Sequence, residues 1–143
     1  MTLAARLALQ RVRSLVSNFR QPSLAEELDS ARSLLEASGI ECHVESAPGT
    51  VSPPVEAALA WVVREAATNV LRHSGGRRCR FSVARTGEGV SLEVTDDGRG
   101  PAEFEPGSGL RGLRERVSFA GGQFCAGRMA DGGFRIRAEI PGA

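Results

Sequence analysis

The stretch "REAATNVLRHSGG", residues 64–76, combines the composition of a buried helix with a row of polar side chains. Glu65, Asn69 and His73 follow one another at intervals of four, so on an α-helix they lie along one side. The apolar residues of this helix form a separate stripe: Val55, Leu59, Val62, Val63, Ala66 and Val70. The polar row follows one flank of that stripe, where a helix would border a cavity; a solvated edge is the alternative interpretation.

A second motif lies in "VSLEVTDDGRGPAEF", residues 90–104, whose alternating apolar residues predict a strand ending at Asp96. A carboxylate at a strand end can accept a hydrogen bond from an amino group such as the exocyclic amine of adenine. Gly98 and Gly100 would let the backbone approach a ligand closely. By itself, the pattern is also typical of an ordinary turn after a strand.

A third motif is "EPGSGLRGLRERV", residues 105–117, in which glycines lead into an arginine-rich helix. Backbone N–H groups at a helix start within a glycine loop form a natural phosphate cradle. The motif is not a Walker loop, because it lacks the Gly-Lys-Ser/Thr ending, and it does not follow a strand as a Rossmann fingerprint does. A flexible loop that only caps a helix is the alternative.

The rest of the chain has patterns typical of alternating helices and strands. Ser23 and Glu26 form a capping-box pattern at the start of a helix that ends before Gly39. Helices are predicted at 2–19, 23–37, 54–74 and 110–120, and strands at 40–46, 78–85, 89–96, 122–129 and 133–140. This order predicts one mixed β-sheet with helices on one face, an α/β two-layer sandwich.

Composition limits the class of protein. The 143 residues suit one ordinary domain, and 18 Lys+Arg nearly balance 17 Asp+Glu, so charge indicates no nucleic-acid partner. No apolar run approaches the ~20 residues of a membrane span, and the first residues lack a signal-peptide pattern. Cys42, Cys79 and Cys125 form no CxxC pair, so we expect them to be buried apolar side chains in a reducing cytoplasm.

In this order, the three motifs resemble those of the Bergerat-fold ATPases, which include gyrase, heat-shock chaperones, mismatch-repair proteins and histidine kinases. The match is closest to the catalytic, ATP-binding domain of bacterial sensor histidine kinases. Residues 64–76 look like the N box of the nitrate-sensor and membrane-fluidity-sensor branch, E-A-x-x-N-x-x-R-H. Residues 96–100 correspond to the G1 box and 107–113 to the G2 box, and "DGGFRIRAEIP", residues 131–141, resembles the closing strand. The resemblance covers residues 24–141 and implies the Bergerat fold.

The resemblance implies a role for each matching position. Asn69 would coordinate Mg²⁺ through its side-chain oxygen, and Glu65 would be the catalytic acidic residue, acting through the metal shell or the acceptor histidine. Arg72 would meet phosphate, His73 would line the nucleotide, and Asp96 would take the adenine amino group. The other implied nucleotide contacts are Gly98, Gly100, Gly107, Ser108, Gly109, Leu110, Gly112 and Leu113.

One position departs from the family's pattern. The family usually has a threonine after the glycine of the last strand, near the adenine-binding carboxylate, whereas this chain has Phe134 after Gly133. A direct hydroxyl contact to adenine is therefore in doubt, and a water molecule or the packing of Phe134 could take its place.

The implied activity is that of a protein histidine kinase, which transfers the γ-phosphate of ATP to a histidine and then to an aspartate of a response regulator. The family's acceptor histidine lies on a dimerisation helix, and neither His43 nor His73 suits that role. Residues 1–22 are expected to be the end of that dimerisation helix and its connector, and residues 23–143 the ATP-binding catalytic domain. We therefore expect binding of ATP, ADP and Mg²⁺ without autophosphorylation, in a cytoplasmic domain whose parent protein could be membrane-anchored.

Two other classes of function compete with this one. A stand-alone switch protein of the anti-sigma-factor serine kinase type would share the three motifs, but the predicted connector helix at 2–19 favours a histidine kinase. A non-enzymatic module with a decayed pocket is supported only by Phe134.

Overall fold

The computed structural model describes residues 23–87, 89–99 and 109–141. Its elements are α1 (Leu24–Ala37), β1 (Glu41–Ala47), α2 (Pro53–Asn69), a π-helical turn (Val70–Ser74), β2 (Arg78–Thr86), β3 (Gly89–Asp96), α3 (Leu110–Phe119), β4 (Gln123–Arg128) and β5 (Phe134–Pro141). The helix predicted at 2–19 lies outside the described residues. Every other predicted helix and strand is present at its predicted place, except that the helix predicted at 54–74 changes to the π-helical turn after Asn69. No helix in the described ranges is long and apolar enough to cross a membrane.

The strands form one mixed sheet in the order β1-β2-β3-β5-β4. β1 pairs with β2 in parallel, and the chain passes between them through α2, which makes a βαβ unit. β2 with β3 and β4 with β5 form antiparallel hairpins, and β3 pairs with β5 to join them. The predicted α/β fold with a mixed sheet is therefore confirmed.

One face of the sheet is buried under the helices, whereas the other is polar. Side chains alternate between the faces along each strand. The buried set on β3 and β5 is Val90, Leu92, Val94, Asp96, Phe134, Ile136, Ala138 and Ile140. On the opposite face, Arg80 pairs with Glu45 at 2.6 Å in solvent, and an exposed pair of this kind contributes little to stability.

Helix α2 is the centre of the helical layer. Its predicted apolar stripe is buried along its whole length: Val55, Leu59, Val62, Val63, Ala66 and Val70. The backbone N–H of Leu24 donates to Glu56 Oε2 at 3.0 Å, which ties the start of α1 to α2. The Ser23 side chain caps α1 by accepting from the Glu26 N–H at 3.2 Å, as predicted.

Trp61 links α2 to α3, and its neighbour Arg64 links α2 to α1. The guanidinium of Arg116, on α3, lies 4.0 Å from the centroid of its ring, and that of Arg64 lies 5.5 Å away. Arg64 also pairs with Glu27 of α1. Such cation–π contacts are attractive, so they help to hold α3, and with it the Gly109 end of that helix, against α2.

The prediction for the cysteines is wrong at one position. Cys42 and Cys79 are buried, but Cys125 is exposed, and all three thiols are free. Cys125 lies on the edge strand β4 opposite Arg137 of β5, on the polar face of the sheet. The sequence pattern of β4 alone does not show which of its two faces meets the helices.

Candidate functional site

The last residue of α2, Asn69, is a buried amide with an unpaired donor. The residue is 5 % exposed, and its Nδ2 has no hydrogen-bond partner. Buried polar groups are nearly always paired, so each exception requires a reason. An amide left unpaired at this place is consistent with a ligand that completes its contacts.

Directly after Asn69 the helix widens into the π-helical turn, which ends at Gly75 in the left-handed conformation (φ 65°). The sequence predicted an uninterrupted helix through residue 74, so the widening corrects that prediction. Because the π turn has more residues than an α turn, His73 is displaced from the row that Glu65 and Asn69 begin. Turns of this kind occur often at functional sites.

Asp96 ends β3 on the helix-facing side of the sheet. It is 8 % exposed, and its Oδ1 accepts a hydrogen bond from the Gly98 N–H at 2.8 Å. Like Val94, two residues earlier, it points toward the helical layer. A carboxylate offers several acceptor positions, so Asp96 can accept from Gly98 and from a ligand at the same time.

Asn69 and Asp96 line the same small cavity. Its volume is about 10 Å³, close to what one water molecule needs. Its other walls are Ala66, Val70, Val94, Phe134 and Ile136. Asp96 also borders a larger cleft of about 340 Å³ at the end of the sheet, shared with Met129 and Gly133. Because His43, Arg80 and Thr95 also line it, this cleft extends onto the polar face of the sheet, and it shares only Asp96 with the cavity that Asn69 borders.

Glu65 meets the start of α3. A Cβ atom placed on Gly109 would lie 2.6 Å from Glu65 Oε2, and Gly109 has a φ of +81°, which favours glycine. The half-buried carboxylate of Glu65 is therefore next to the N-terminus of α3, where the helix dipole favours negative charge. The first and third sequence motifs meet at this contact.

The other predicted site residues lie in different environments. Arg72 is exposed, His73 is half-buried, and Gly98 is buried beside Asp96. Leu110 and Leu113 are buried in the core, and Gly112 is exposed on α3. Leu110 and Leu113 would therefore reach a nucleotide through their backbone and not through their side chains. Gly100, Gly107 and Ser108 lie outside the described residues.

Phe134 is a wall of the cavity. It stands opposite Asp96 in the register of β3 and β5 and is 6 % exposed. The preceding Gly133 has no room for a side chain, because a Cβ there would lie 2.5 Å from the Asp96 carbonyl oxygen. The Phe134 ring therefore puts an apolar surface beside Asp96. The family that this chain resembles usually has the hydroxyl of a threonine at this position.

Asp97 has a different role from its neighbour. Its Oδ1 accepts hydrogen bonds from the backbone N–H groups of Arg77 (2.8 Å) and Arg78 (3.0 Å). The N–H of Arg78, followed by that of Arg77, holds the pKa of the Asp97 carboxyl below its usual range. Sequence reasoning missed this role; the only signal was a second acidic residue directly after the strand.

Cys79 lies beside Asp96 on the neighbouring strand β2. Burial raises the pKa of its thiol, and the charges of Cys42 and Asp96 raise it further. The thiol therefore stays protonated at neutral pH and forms an apolar part of the wall of the larger cleft.

The side chains of the site suit Mg²⁺ only as part of a metal–phosphate complex. In the described part of the chain, no three His, Cys, Asp or Glu side chains are grouped as a metal cage. Mg²⁺ prefers oxygen ligands, keeps several waters and is commonly bound through one or two protein groups plus substrate phosphates. The side-chain oxygen of Asn69 is a ligand of this kind, so a single protein ligand at this position fits the ion. The unpaired Nδ2 is a donor and would instead contact an acceptor such as a phosphate oxygen or a water molecule.

Comparison with known proteins shows the family of this chain. Residues 54–143 match the family of histidine kinase-, DNA gyrase B- and HSP90-like ATPases. The chain belongs to this family, and the match spans all three motifs.

Within the family, the relatives of this chain include sensor histidine kinases. Sensor histidine kinase DesK of Bacillus subtilis is 37 % identical over 123 residues, and sensor histidine kinase YvfT of the same organism is 33 % identical over 120 residues. Each alignment covers 82 % of this chain but only 33 % and 32 % of the relative, respectively. The chain therefore spans about a third of the length of these relatives. The resemblance to sensor histidine kinases is confirmed.

Solved structures show the same fold. The histidine kinase domain of the blue-light activated histidine kinase EL346 from Erythrobacter litoralis aligns with a TM-score of 0.71 at 23 % identity, covering 83 % of this chain and 59 % of that one. The ATP binding domain of PrrB from Mycobacterium tuberculosis aligns with a TM-score of 0.67 at 22 % identity, covering 85 % and 96 %.

The left-handed backbone of Gly109 leads to a prediction, for which Gly112 of α3 provides a matched control. We expect Gly109→Ala to lower the free energy of unfolding by about 1–2 kcal/mol, because alanine is strained at a left-handed φ. Gly112→Ala should instead raise it by up to about 1 kcal/mol, since a Cβ there meets nothing within 4 Å and alanine favours a helix. Urea denaturation of both variants tests the pair, and equal effects would contradict the geometry.

Proposed function

We propose that this chain is the ATP–Mg²⁺-binding catalytic domain of a sensor histidine kinase, which supplies the γ-phosphate to a histidine on a dimerisation domain. The observation that supports this most is the shared cavity of Asn69 and Asp96. A buried amide with an unpaired donor and a buried carboxylate, far apart in the sequence, border one space. The sensor histidine kinases among its relatives point to the same class of activity.

In this proposal, the end of β3 binds the base. The Asp96 carboxylate accepts a hydrogen bond from the adenine amine while it keeps its bond to the Gly98 N–H. Phe134 packs against the base and excludes water from that hydrogen bond, which strengthens it. Gly98 keeps this wall free of a side chain, and Gly100 stays a predicted nucleotide contact.

The end of α2 and the start of α3 bind the phosphates. Arg72 and His73 contribute from the π-helical turn, and Gly109 with the first turn of α3 contributes backbone N–H groups. Gly107 and Ser108, which lie outside the described residues, stay predicted nucleotide contacts. The Asn69 side-chain oxygen holds Mg²⁺, which when bound neutralises charge on the phosphates.

Catalysis in this proposal is mainly a matter of positioning. Phosphoryl transfer needs in-line approach and stabilised charge more than covalent help from the protein. Glu65, next to Gly109, accepts a hydrogen bond from one N–H of the incoming imidazole. The other ring nitrogen is then unprotonated and directed at the γ-phosphate.

The acceptor histidine belongs to another part of the parent protein. His43 is exposed on β1 and contacts Glu41 at 3.2 Å, and His73 lies in the proposed phosphate site. We propose that residues 1–22 end the dimerisation helix and that 23–143 form the catalytic domain. A response regulator would then receive the phosphate, in the cytoplasm.

A transfer assay tests the proposal. The chain is incubated with γ-labelled ATP and Mg²⁺, alone and with a histidine-bearing dimerisation domain of a related sensor kinase. We expect no label on the chain alone and acid-labile, alkali-stable label on the added domain, as phosphohistidine requires. Label on a serine of an added antagonist protein would favour the serine kinase class instead. ATP binding without any transfer would contradict the kinase activity.

A further inference from the structure

We infer that Asp97 is a positioning residue that joins the end of β3 to the start of β2 and so holds Asp96 in place for a purine amine. This inference rests on the proposed nucleotide-binding function. It concerns a side chain that would not itself touch the nucleotide.

The hydrogen bonds of Asp97 connect two segments that are distant in sequence. One carboxylate oxygen accepts from the N–H groups of both Arg77 and Arg78, at 2.8 and 3.0 Å. In return, the Asp97 N–H donates to the Arg78 carbonyl at 3.2 Å. Three hydrogen bonds therefore fix the peptide that follows Asp96 against the first residues of β2.

The same clamp reaches the end of α2. Only Gly75 and Gly76 separate the π-helical turn from Arg77. The Arg77 carbonyl in turn accepts from the Glu41 N–H at 2.8 Å, which ties this point to β1 as well. Two consecutive glycines provide little stiffness of their own, so the hydrogen bonds that the Asp97 carboxylate accepts from Arg77 and Arg78 help to fix where this segment lies relative to the end of β3.

Asp96 depends on this clamp because the two residues are neighbours on opposite sides of the strand. Asp96 is buried toward the cavity, whereas Asp97 is exposed at the end of the sheet. Rotation of the peptide between them would turn the Asp96 carboxylate away from the ligand. The strength of a hydrogen bond falls steeply as its angle departs from linear, so such a rotation would weaken the bond from Asp96 to the ligand.

The test compares Asp97→Ala with Asp97→Asn in the full chain, by calorimetric titration with ATP and with inosine triphosphate. Both variants remove the same negative charge, but asparagine keeps an oxygen that can accept from Arg77 and Arg78. Inosine triphosphate has the same phosphates as ATP and lacks the amine. The control is Ser23→Ala, which removes a different backbone-capping side chain, at the start of α1.

We expect Asp97→Ala to weaken ATP binding by about tenfold, which corresponds to the loss of one well-placed hydrogen bond. Binding of inosine triphosphate should stay within about twofold of wild type, and Asp97→Asn should restore most of the ATP affinity. Removal of a negative charge alone would strengthen the binding of an anion, so the expected change has the opposite sign. Ser23→Ala should lower the unfolding midpoint and leave both affinities unchanged.

Three outcomes would overturn the inference: unchanged ATP affinity in Asp97→Ala, equal losses for the two nucleotides, or no recovery in Asp97→Asn. If Asp97→Ala does not fold, Asp97→Ser, which keeps a short polar group, replaces it in the same comparison. If the wild-type chain binds ATP and the Asp97 variants bind it equally well, the role of Asp97 is refuted and the proposed function is unaffected. A wild-type chain that binds no ATP would overturn both.

Discussion

Asp96→Asn is expected to weaken ATP binding roughly 10- to 150-fold, because a hydrogen bond to a charged group contributes about 1.5–3 kcal/mol. The carboxylate only accepts hydrogen bonds, which suits an amine, whereas asparagine presents an NH₂ group that can face the adenine amine. The same NH₂ group can donate to the carbonyl of inosine. We therefore expect inosine triphosphate to bind the variant at least as well as it binds the wild type.

Titration calorimetry with both nucleotides measures this reversal of preference. The matched control is Asp29→Asn, which makes the same chemical change on the exposed surface of α1 and should alter neither affinity. Loss of the charge on Asp96 by itself would favour both anionic nucleotides equally. An unchanged ratio of ATP to inosine triphosphate affinity would therefore contradict the assignment of Asp96 to the base.

Asn69→Leu is expected to stabilise the nucleotide-free protein and to abolish Mg²⁺-dependent nucleotide binding. The side chains have nearly the same shape, and leucine removes a buried Nδ2 that has no partner. An unsatisfied buried polar group costs about 1–3 kcal/mol, so the free energy of unfolding should rise by a similar amount. A gain in stability with a loss of binding is the pattern of a residue kept for its ligand.

Two measurements separate the metal role of Asn69 from a packing role. Urea denaturation without nucleotide gives the change in stability, and ATP titrations with Mg²⁺ and with a chelator give the change in binding. We expect Asn69→Leu and Asn69→Ala to lose much more affinity with Mg²⁺ than without it. Equal losses under both conditions would refute a metal contact.

Much of the fold could be predicted because its signals are local. The apolar stripe of α2, the alternation in β3 and β5, and the turn between β4 and β5 each determine their own element. The order of the elements then leaves few arrangements for a sheet covered on one face. The pairing of β3 with β5 is not local, and no local sequence pattern indicates it.

For the candidate site, each motif could be predicted from its local sequence, but the contacts between motifs could not. Asn69 and Asp96 belong to separate motifs, and only the fold shows that they border one cavity. The contact of Glu65 with Gly109 likewise depends on how α3 packs against α2.

Features that depend on hydrogen bonding or on the third dimension were missed. The π-helical turn after Asn69 has the same local propensities as the α-helix that was predicted there. The roles of Asp96 and Asp97 differ because one side chain points into the cavity and the other accepts from β2, which depends on where the strand ends. The exposure of Cys125 follows from the face of β4 on which it lies, because its neighbours Phe124 and Ala126 on the other face pack against the core.

A backbone amide chemical-shift map of the labelled chain, titrated with ATP and Mg²⁺, tests the central claim most directly. Large shifts should group at 65–76, 96–99 and 109–113, with little change at 43–47 and 123–127 on the outer strands. Shifts at only one of the three segments, or a group of shifts on the polar face of the sheet, would show that these segments do not share one nucleotide.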